Sequence, residues 1–379
     1  ITISGASDTI RVELQPDEED LEEVIVSTTR SSRTISDLPT RIETIAGEEL
    51  DEKSNMNSGS VSMLLRESTG IQTQQTSAVS GNMNIRIQGL DGRYTQLLQN
   101  GFPIYSGFSS GLSIMQIPPL DLKQVEIVKG SSSTLYGGGA IAGLINFIQK
   151  DPQKERELLF MANLTSAAGI DLNGYYGKRN DRIGFTLFAS GHGQRSYDPN
   201  DDRFTDIPEY KRLNLNPRVF FYLPGNSRIT FGVNTTFEDR KGGFIPRIKE
   251  EANPESTYLE RNSTTRISTQ LQVDKPLREG QRLYLKNSIS AFDRTIDLPD
   301  HRFAGTQWSS FSEIGYLRVN DKTDWIFGLN TWTDRFNERA QPGQRTLRDY
   351  DLPVFGAFIQ NTWTMGEHFS LESGLRGDY

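Results

Sequence analysis

The first residues that look able to do chemistry lie in VEIVKGSSSTLYGGGAIAGLINFIQK, residues 125–150. Gly137, Gly139 and Ala142 spell G-x-G-x-x-A after an apolar strand, the pattern by which a backbone loop cradles a pyrophosphate at a helix N-terminus. That chemistry requires a helix directly afterwards, inside a βαβ unit. Here the loop runs into LINFI, which is β-prone and too short for such a helix. The spacing therefore predicts a tight turn between two strands, with glycines that let backbone pack closely against a wall. Ser131, Ser132 and Ser133 offer hydroxyls but have no base nearby in sequence, which argues against a nucleophile. Cysteine is absent, which removes disulfides, Cys-based zinc sites and thiol chemistry. His192, His301 and His368 are far apart in sequence and are expected at the surface, not in a metal site. No catalytic residue, metal site or cofactor is assigned, and an enzyme is not expected.

The elements that must position these residues fall into compositional zones. Of 379 residues, 41 are basic and 49 acidic, a net charge of −8 that argues against a nucleic-acid binder. No apolar run reaches the roughly 18 residues of a membrane helix. Aromatic residues nevertheless make up 10% of this polar chain. Residues 1–15 are strand-like, PDEEDLEE (16–23) reads as a solvated acidic linker, and Val24-Ile25-Val26 is a short β-prone run. Residues 30–151 form a mixed α/β segment. RIETI (41–45) and NIRIQGL (84–90) read as strands, and SVSMLLRES (60–68) as a helix stopped by Gly70. TQLLQNGFPI (95–104) reads as a hairpin turning at Asn100-Gly101, and Asp121 as the cap of a turn before QVEIV.

Residues 157–379 alternate polar and apolar residues with period two, the mark of strands with one wet and one apolar face. In RIGFTLFASG, Ile183, Phe185, Leu187 and Ala189 share a face opposite Gly184, Thr186 and Ser190. In RITFGVNTTF, Ile229, Phe231, Val233 and Phe237 oppose Thr230, Gly232, Asn234 and Thr236. Short turns are expected near 179–182, 223–228, 275–281, 320–324 and 365–368, and long polar loops near 196–210, 241–258, 296–307 and 338–350. That strict alternation is the arrangement of an outer-membrane barrel, short-turned on one side and long-looped on the other. About eleven strands are expected. Hydrocarbon tolerates no open sheet edge, so the parent barrel should be larger and even-numbered, and the chain is expected to be a piece of a longer protein.

With IRIQGL, QLLQNGFPI and LKQVEIVKGSSSTLYGGGAIAGLINFI in place, residues 22–150 resemble the plug of TonB-dependent outer-membrane receptors. Arg86, Gly89, Gly101, Glu126, Gly130, Tyr136, Gly137, Ala140, Gly143 and Asn146 match its motifs, whereas Asn100, Ser131 and Ala142 depart from them. The resemblance implies a small α/β plug domain (30–151) followed by about the first half of a 22-stranded antiparallel transmembrane β-barrel (157–379). Residues 1–15 are similar to the end of the small β-sandwich that precedes many Bacteroidetes-type receptors, and 16–29 to a linker carrying the TonB box. That box would comprise Glu23, Val24, Ile25, Val26 and Ser27, added as a strand to an edge of the periplasmic partner TonB. Plug loops contacting ligand would present Gln75, Thr76, Ser77 and Asn82 in one loop and Tyr105, Phe108 and Ser109 in another. Arg86 and Lys129 would lock plug to wall, with Glu313 and Glu372 as candidate partners. The implied function is import across the outer membrane of a scarce metal chelate, most simply a ferric siderophore. Cobalamin, haem and copper chelates stand as alternatives, and a passive porin or adhesin as a rival class.

Overall fold

The computed structural model describes Val26 and residues 42–379, apart from 78–80, 105–113, 252–255, 321, 343–345 and 367–368. The expected segments 1–15 and 16–29 lie outside the described residues except for Val26. Within the first part, β1 (Ile42–Ala46) pairs antiparallel with β6 (Leu122–Lys129), and β6 pairs antiparallel with β7 (Gly143–Gln149). Strand β7 runs parallel to β4 (Thr95–Gln99), which turns back into β5 (Phe102–Pro103). Asn100 and Gly101 have φ of +53° and +74°, as the hairpin expectation required.

A two-stranded ribbon, β2 (Ile71–Gln75) with β3 (Met83–Ile87), and two helices, α1 (Gly47–Met56) and α2 (Ser62–Arg66), complete this unit. Ile45, Leu65, Ile85, Leu97, Val125 and Ile145 belong to its core. Helix α1 had no sequence signature, because only Leu50 and Ser54 of GEELDEKSNM are buried and no apolar period results. Helix α2 is shorter than the expected 60–68. Gly70, at φ +78°, serves the turn into β2 and does not cap the helix.

The remaining chain is one eleven-stranded antiparallel meander in strict sequence order. Its strands are β8 (Glu157–Leu164), β9 (Gly169–Arg179), β10 (Ile183–Gln194), β11 (Glu209–Leu223), β12 (Ser227–Gly243), β13 (Leu259–Arg278), β14 (Gln281–Leu298), β15 (His301–Val319), β16 (Thr323–Glu338), β17 (Tyr350–Thr364) and β18 (Ser370–Asp378). Period two sorts the side chains. Phe160 (75% exposed), Leu215, Phe231, Ile289, Leu329 and Leu375 (72%) stand on the outer face. Thr186, Ser190, Asn214, Thr236, Ser268 and Gln270 are buried on the inner face, where the α/β unit sits.

Connections 180–182, 224–226, 279–280, 320–322 and 365–369 gather at one end of the sheet, and 195–208, 244–258 and 339–349 at the other. A short helix, α4 (Ile245–Ile248), lies within 244–258. The long loop expected at 296–307 is instead a two-residue turn, Pro299-Asp300, with β14 and β15 paired up to Leu298 and His301. Across the turn Ile296, Leu298, Phe303 and Ala304 are interrupted by Asp297, Pro299, Asp300, His301 and Arg302, so alternation fades although pairing does not.

A charge on the outer face tests the lipid-facing reading. Phe231→Arg should cost about 2–4 kcal/mol near the midplane. In the full-length receptor it should lower the folded, heat-modifiable fraction on a gel, while Phe231→Leu should not.

Candidate functional site

The inner face carries a row of directly opposed residues running across six strands: Asp171, His192, Arg212, Glu238, Thr264 and Arg294. Period two places all of them inward, and register alone makes them neighbours. Asp171 collects donors from three sides. Asn163 Nδ2 lies at 3.1 Å, His192 Nδ1 at 2.9 Å, and Ser58 Oγ of the α/β unit at 3.1 Å. Behind His192 the hydrogen-bonded chain continues. Thr236 Oγ1 donates to Asn214 Oδ1 (2.9 Å), Asn214 Nδ2 donates to Ser190 Oγ (3.0 Å), and Ser190 Oγ is hydrogen-bonded with His192 Nε2 (3.0 Å). His192 is therefore not the surface residue expected: its side chain is fully buried. Ser190, His192 and Asp171 stand in the order of an acyl-transfer triad. The Ser190 hydroxyl, however, is buried and already accepts from Asn214, so the chain acts as a hydrogen-bonded brace.

The α/β unit meets this face mainly through polar groups. Arg212 donates to Gly59 O and Met115 O, and Asn173 Nδ2 donates to Ser58 O at 3.3 Å. Gln116 Nε2 reaches Glu238 (3.4 Å) and Thr264 (3.1 Å). Nearer the short-turn end, Asn100 Nδ2 donates to Gln270 Oε1 (3.2 Å), and Arg218 and Arg228 hold Asp151 at 3.2 and 2.6 Å. Asp121 does more than cap a turn. Buried, it accepts from Gln149 (2.6 Å) and from wall residue Asn216 (3.4 Å). Burial pushes its carboxyl up, an effect that these amides and the charge of Arg218 only partly offset.

One apolar attachment comes from the glycine-rich turn. Strands β6 and β7 enclose it as an antiparallel pair, which excludes the βαβ geometry of a dinucleotide loop. Its short helix α3 (Ser133–Tyr136) presents Leu135 to Leu317, Ile326 and Phe358 of the wall. At Gly143, with φ +136°, a Cβ would stand 2.1 Å from Val128 O, so only glycine permits this approach.

The expected site residues divide between the two ends. Gln75, Thr76, Ser77 and Asn82 form a loop closed on itself, Thr76 N bonding Asn82 O at 2.7 Å. Ser77 Oγ reaches Glu260 at 3.4 Å, near the long-loop end of β13. Tyr105, Phe108 and Ser109 lie outside the described residues, as do Glu23, Val24, Ile25 and Ser27. Val26 is fully buried among Ile42, Leu98, Val128 and Leu144, with Tyr136 beside it, toward the short-turn end. Lys129 pairs with Glu43 of β1, within the α/β unit, in place of Glu313 or Glu372. Burial raises the Glu43 carboxyl, but the hydrogen bond and the charge of Lys129 outweigh it and hold the group below its ordinary value. Arg86 is half-buried and forms no ion pair among the described residues; Asp91 lies close enough to feel its charge. Sequence reasoning missed Ser58, Asp171, Arg212 and Glu238, because no motif marks a residue whose importance comes from cross-strand register.

Two measurements test these attachments. Leu135→Ala should weaken the apolar anchor by about 2–5 kcal/mol, seen as a lower temperature for release of the α/β unit. Asp121 has an ordinary value of 3.8 that is raised in the fold. Its contribution is thus complete below 3.8 and lost as pH climbs through the raised value. Asp121→Asn keeps the acceptor, so it should raise the thermal midpoint at pH 7 and leave it nearly unchanged at pH 4.

Residues 34–144 match the family described as TonB-dependent Receptor Plug Domain. The ferric aerobactin receptor of Klebsiella pneumoniae is 29% identical over 147 residues, covering 39% of this chain and 19% of that protein. The vitamin B12 transporter of Photobacterium profundum is 27% identical over 403 residues, covering 95% of this chain and 61% of that protein. The ferric yersiniabactin uptake receptor of Yersinia pestis superposes with a TM-score of 0.70 at 14% identity, covering 89% of this chain and 56% of its own. The ferric-catecholate import receptor of E. coli K12 gives 0.70 at 14% identity, with 93% and 61% covered. At that identity the solved structures establish the fold, and the chain spans from a fifth to three fifths of these curated relatives. Residues 34–144 thus match a TonB-dependent receptor plug domain, and the eleven strands around them share the fold of part of the β-barrel in these solved structures.

Proposed function

We propose that the protein is an energy-coupled importer of the Gram-negative outer membrane, taking up a scarce metal chelate, with a ferric siderophore as the first choice. The observation that carries this reading is the two-ended plug: Ser77 and its loop reach the long-loop end of the wall, while Val26 is packed beside Tyr136 toward the short-turn end. Ligand arriving at the first end biases the second. The β-prone run at 22–28 is then captured by TonB as an added strand, and traction opens a path past the plug.

Chemistry at the upper wall favours an anionic chelate. Arg266 stacks over Phe292 at 4.3 Å and Arg294 donates to Asn262 at 3.0 Å, whereas Arg240, over Tyr210 at 4.9 Å, is already paired with Glu238 at 3.2 Å. The two guanidiniums of Arg266 and Arg294 on the inner face suit carboxylate, hydroxamate or catecholate oxygens around a ferric ion. Cobalamin is the second reading, favoured by the match to a vitamin B12 transporter over nearly the whole chain.

The test uses the full-length receptor and a panel of ferric aerobactin, ferric enterobactin and cobalamin. Deleting residues 22–28 should abolish uptake of the bound chelate while leaving its surface binding unchanged. Uptake that survives the deletion would identify a passive pore.

A further inference from the structure

Arg212 holds two separate plug segments at once. It projects inward from β11, and its side chain is 1% exposed. One amino group donates to Gly59 O, in the turn between α1 and α2, and the other donates to Met115 O, directly after 105–113. Glu238, across the strand pair, lies 3.3 Å from the guanidinium and also accepts from Gln116 at 3.4 Å. The turn it grips is closed by a side chain of its own. Asn57 Oδ1 accepts from Gly59 N and Ser60 N at 3.1 and 3.2 Å. A Cβ on Gly59 would stand 3.3 Å from Asp171 Oδ1 and 3.6 Å from Arg212 Nη2. The grip is therefore close on every side, and α1 leads straight from it into β1.

From this geometry we propose that Arg212 is a positioning residue that couples the 57–60 turn to the root of the second candidate ligand loop, so that a shift in one segment is transmitted to the other. A planar guanidinium can span two carbonyls in fixed directions, which the point charge of lysine cannot do. The purpose of this coupling rests on the import reading above, since that reading makes 105–113 a ligand loop. Its existence does not.

The test is hydrogen exchange by mass spectrometry on the full-length, ligand-free receptor in detergent, so the outcome is independent of which chelate is imported. Arg212→Ala should speed exchange of both 57–62 and 114–117 by roughly tenfold, the loss expected for a charge-assisted hydrogen bond. Exchange of 143–149 should not change. Arg212→Lys should protect one of the two segments at most. Acceleration of only one segment in the alanine variant, or protection of both by lysine, overturns the proposal.

Val61 N also bonds Ile117 O directly at 2.9 Å, so a second comparison separates the two routes. Gly59→Ala, which crowds Arg212 and Asp171, should speed exchange at 114–117 when Arg212 is present and not when it is replaced by alanine, or by lysine if the alanine variant fails to assemble. An equal effect in both backgrounds assigns the coupling to the Val61–Ile117 bond and removes Arg212 from it.

Discussion

A lipid-facing wall leaves its interior no choice of chemistry. Hydrocarbon cannot satisfy backbone polar groups, so they must be paired between strands. Successive side chains then point to opposite faces. Once Phe160, Phe231 and Leu329 occupy the outer face, the residues between them face inward, and here they are Thr, Ser, Asn, Gln and charged groups. A plug filling such a lumen must be held by hydrogen bonds more than by apolar contact. Each typical bond contributes only about 0.5–1.5 kcal/mol net, and a buried ion pair such as Arg212–Glu238 is nearly offset by the desolvation of its members. The attachment among the described residues is thus many small terms spread along the wall, with an apolar patch at Leu135. Such an interface holds in the absence of force, yet it gives way bond by bond when traction is applied at one point.

That distribution decides which residues can carry information between the two ends. A bond that touches a single plug segment stabilises the segment and nothing else, as Asn100 does with Gln270. A wall group that touches two segments makes their positions interdependent. Arg212 is such a group, and the Asp171 cluster beside it supports it from one side. The buried Ser190–His192–Asp171 chain fits the same logic. In an enzyme its order would signal a nucleophile. Beneath a plug it orients one carboxylate toward Ser58 and, continued through Asn214 and Thr236, ties together the four strands β9 to β12.

Much of the fold was legible because period two survives wherever one face meets lipid: Ile183–Ala189 and Ile229–Phe237 sort as the sequence implies. Legibility failed where that asymmetry ends. In the 296–307 segment Ile296, Leu298, Phe303 and Ala304 are interrupted by Pro299, Asp300, His301 and Arg302 and keep no continuous period two, so its paired strands read as a loop. Helix α1 shows too few apolar positions to register as amphipathic. The site was less legible than the fold. Lys129 was assigned a partner on the wall, but Glu43 is nearer once β1 pairs with β6, a contact 86 residues apart in sequence. Asp171, His192 and Arg212 are brought together only by strand register, which one sequence does not specify.

The glycine-rich turn shows why a motif and its chemistry can part company. A phosphate loop and this turn share a single physical demand, that backbone come closer to something than a Cβ would allow. In a dinucleotide site that object is a pyrophosphate. Here it is protein: Gly143 meets the Val128 carbonyl, Gly139 the Gln96 side chain, and Gly137 the guanidinium of Arg376. Because the glycines let the chain reverse tightly between β6 and β7, α3 can project Leu135 into the wall without disturbing the plug sheet. The same turn places Tyr136 against the cluster that buries Val26. One segment therefore joins the apolar anchor on the barrel to the cluster in which Val26 is buried. Under the import reading proposed above, traction transmitted through Val26 would load the anchor directly, and the hydrogen-bonded attachments nearer the long-loop end only afterwards.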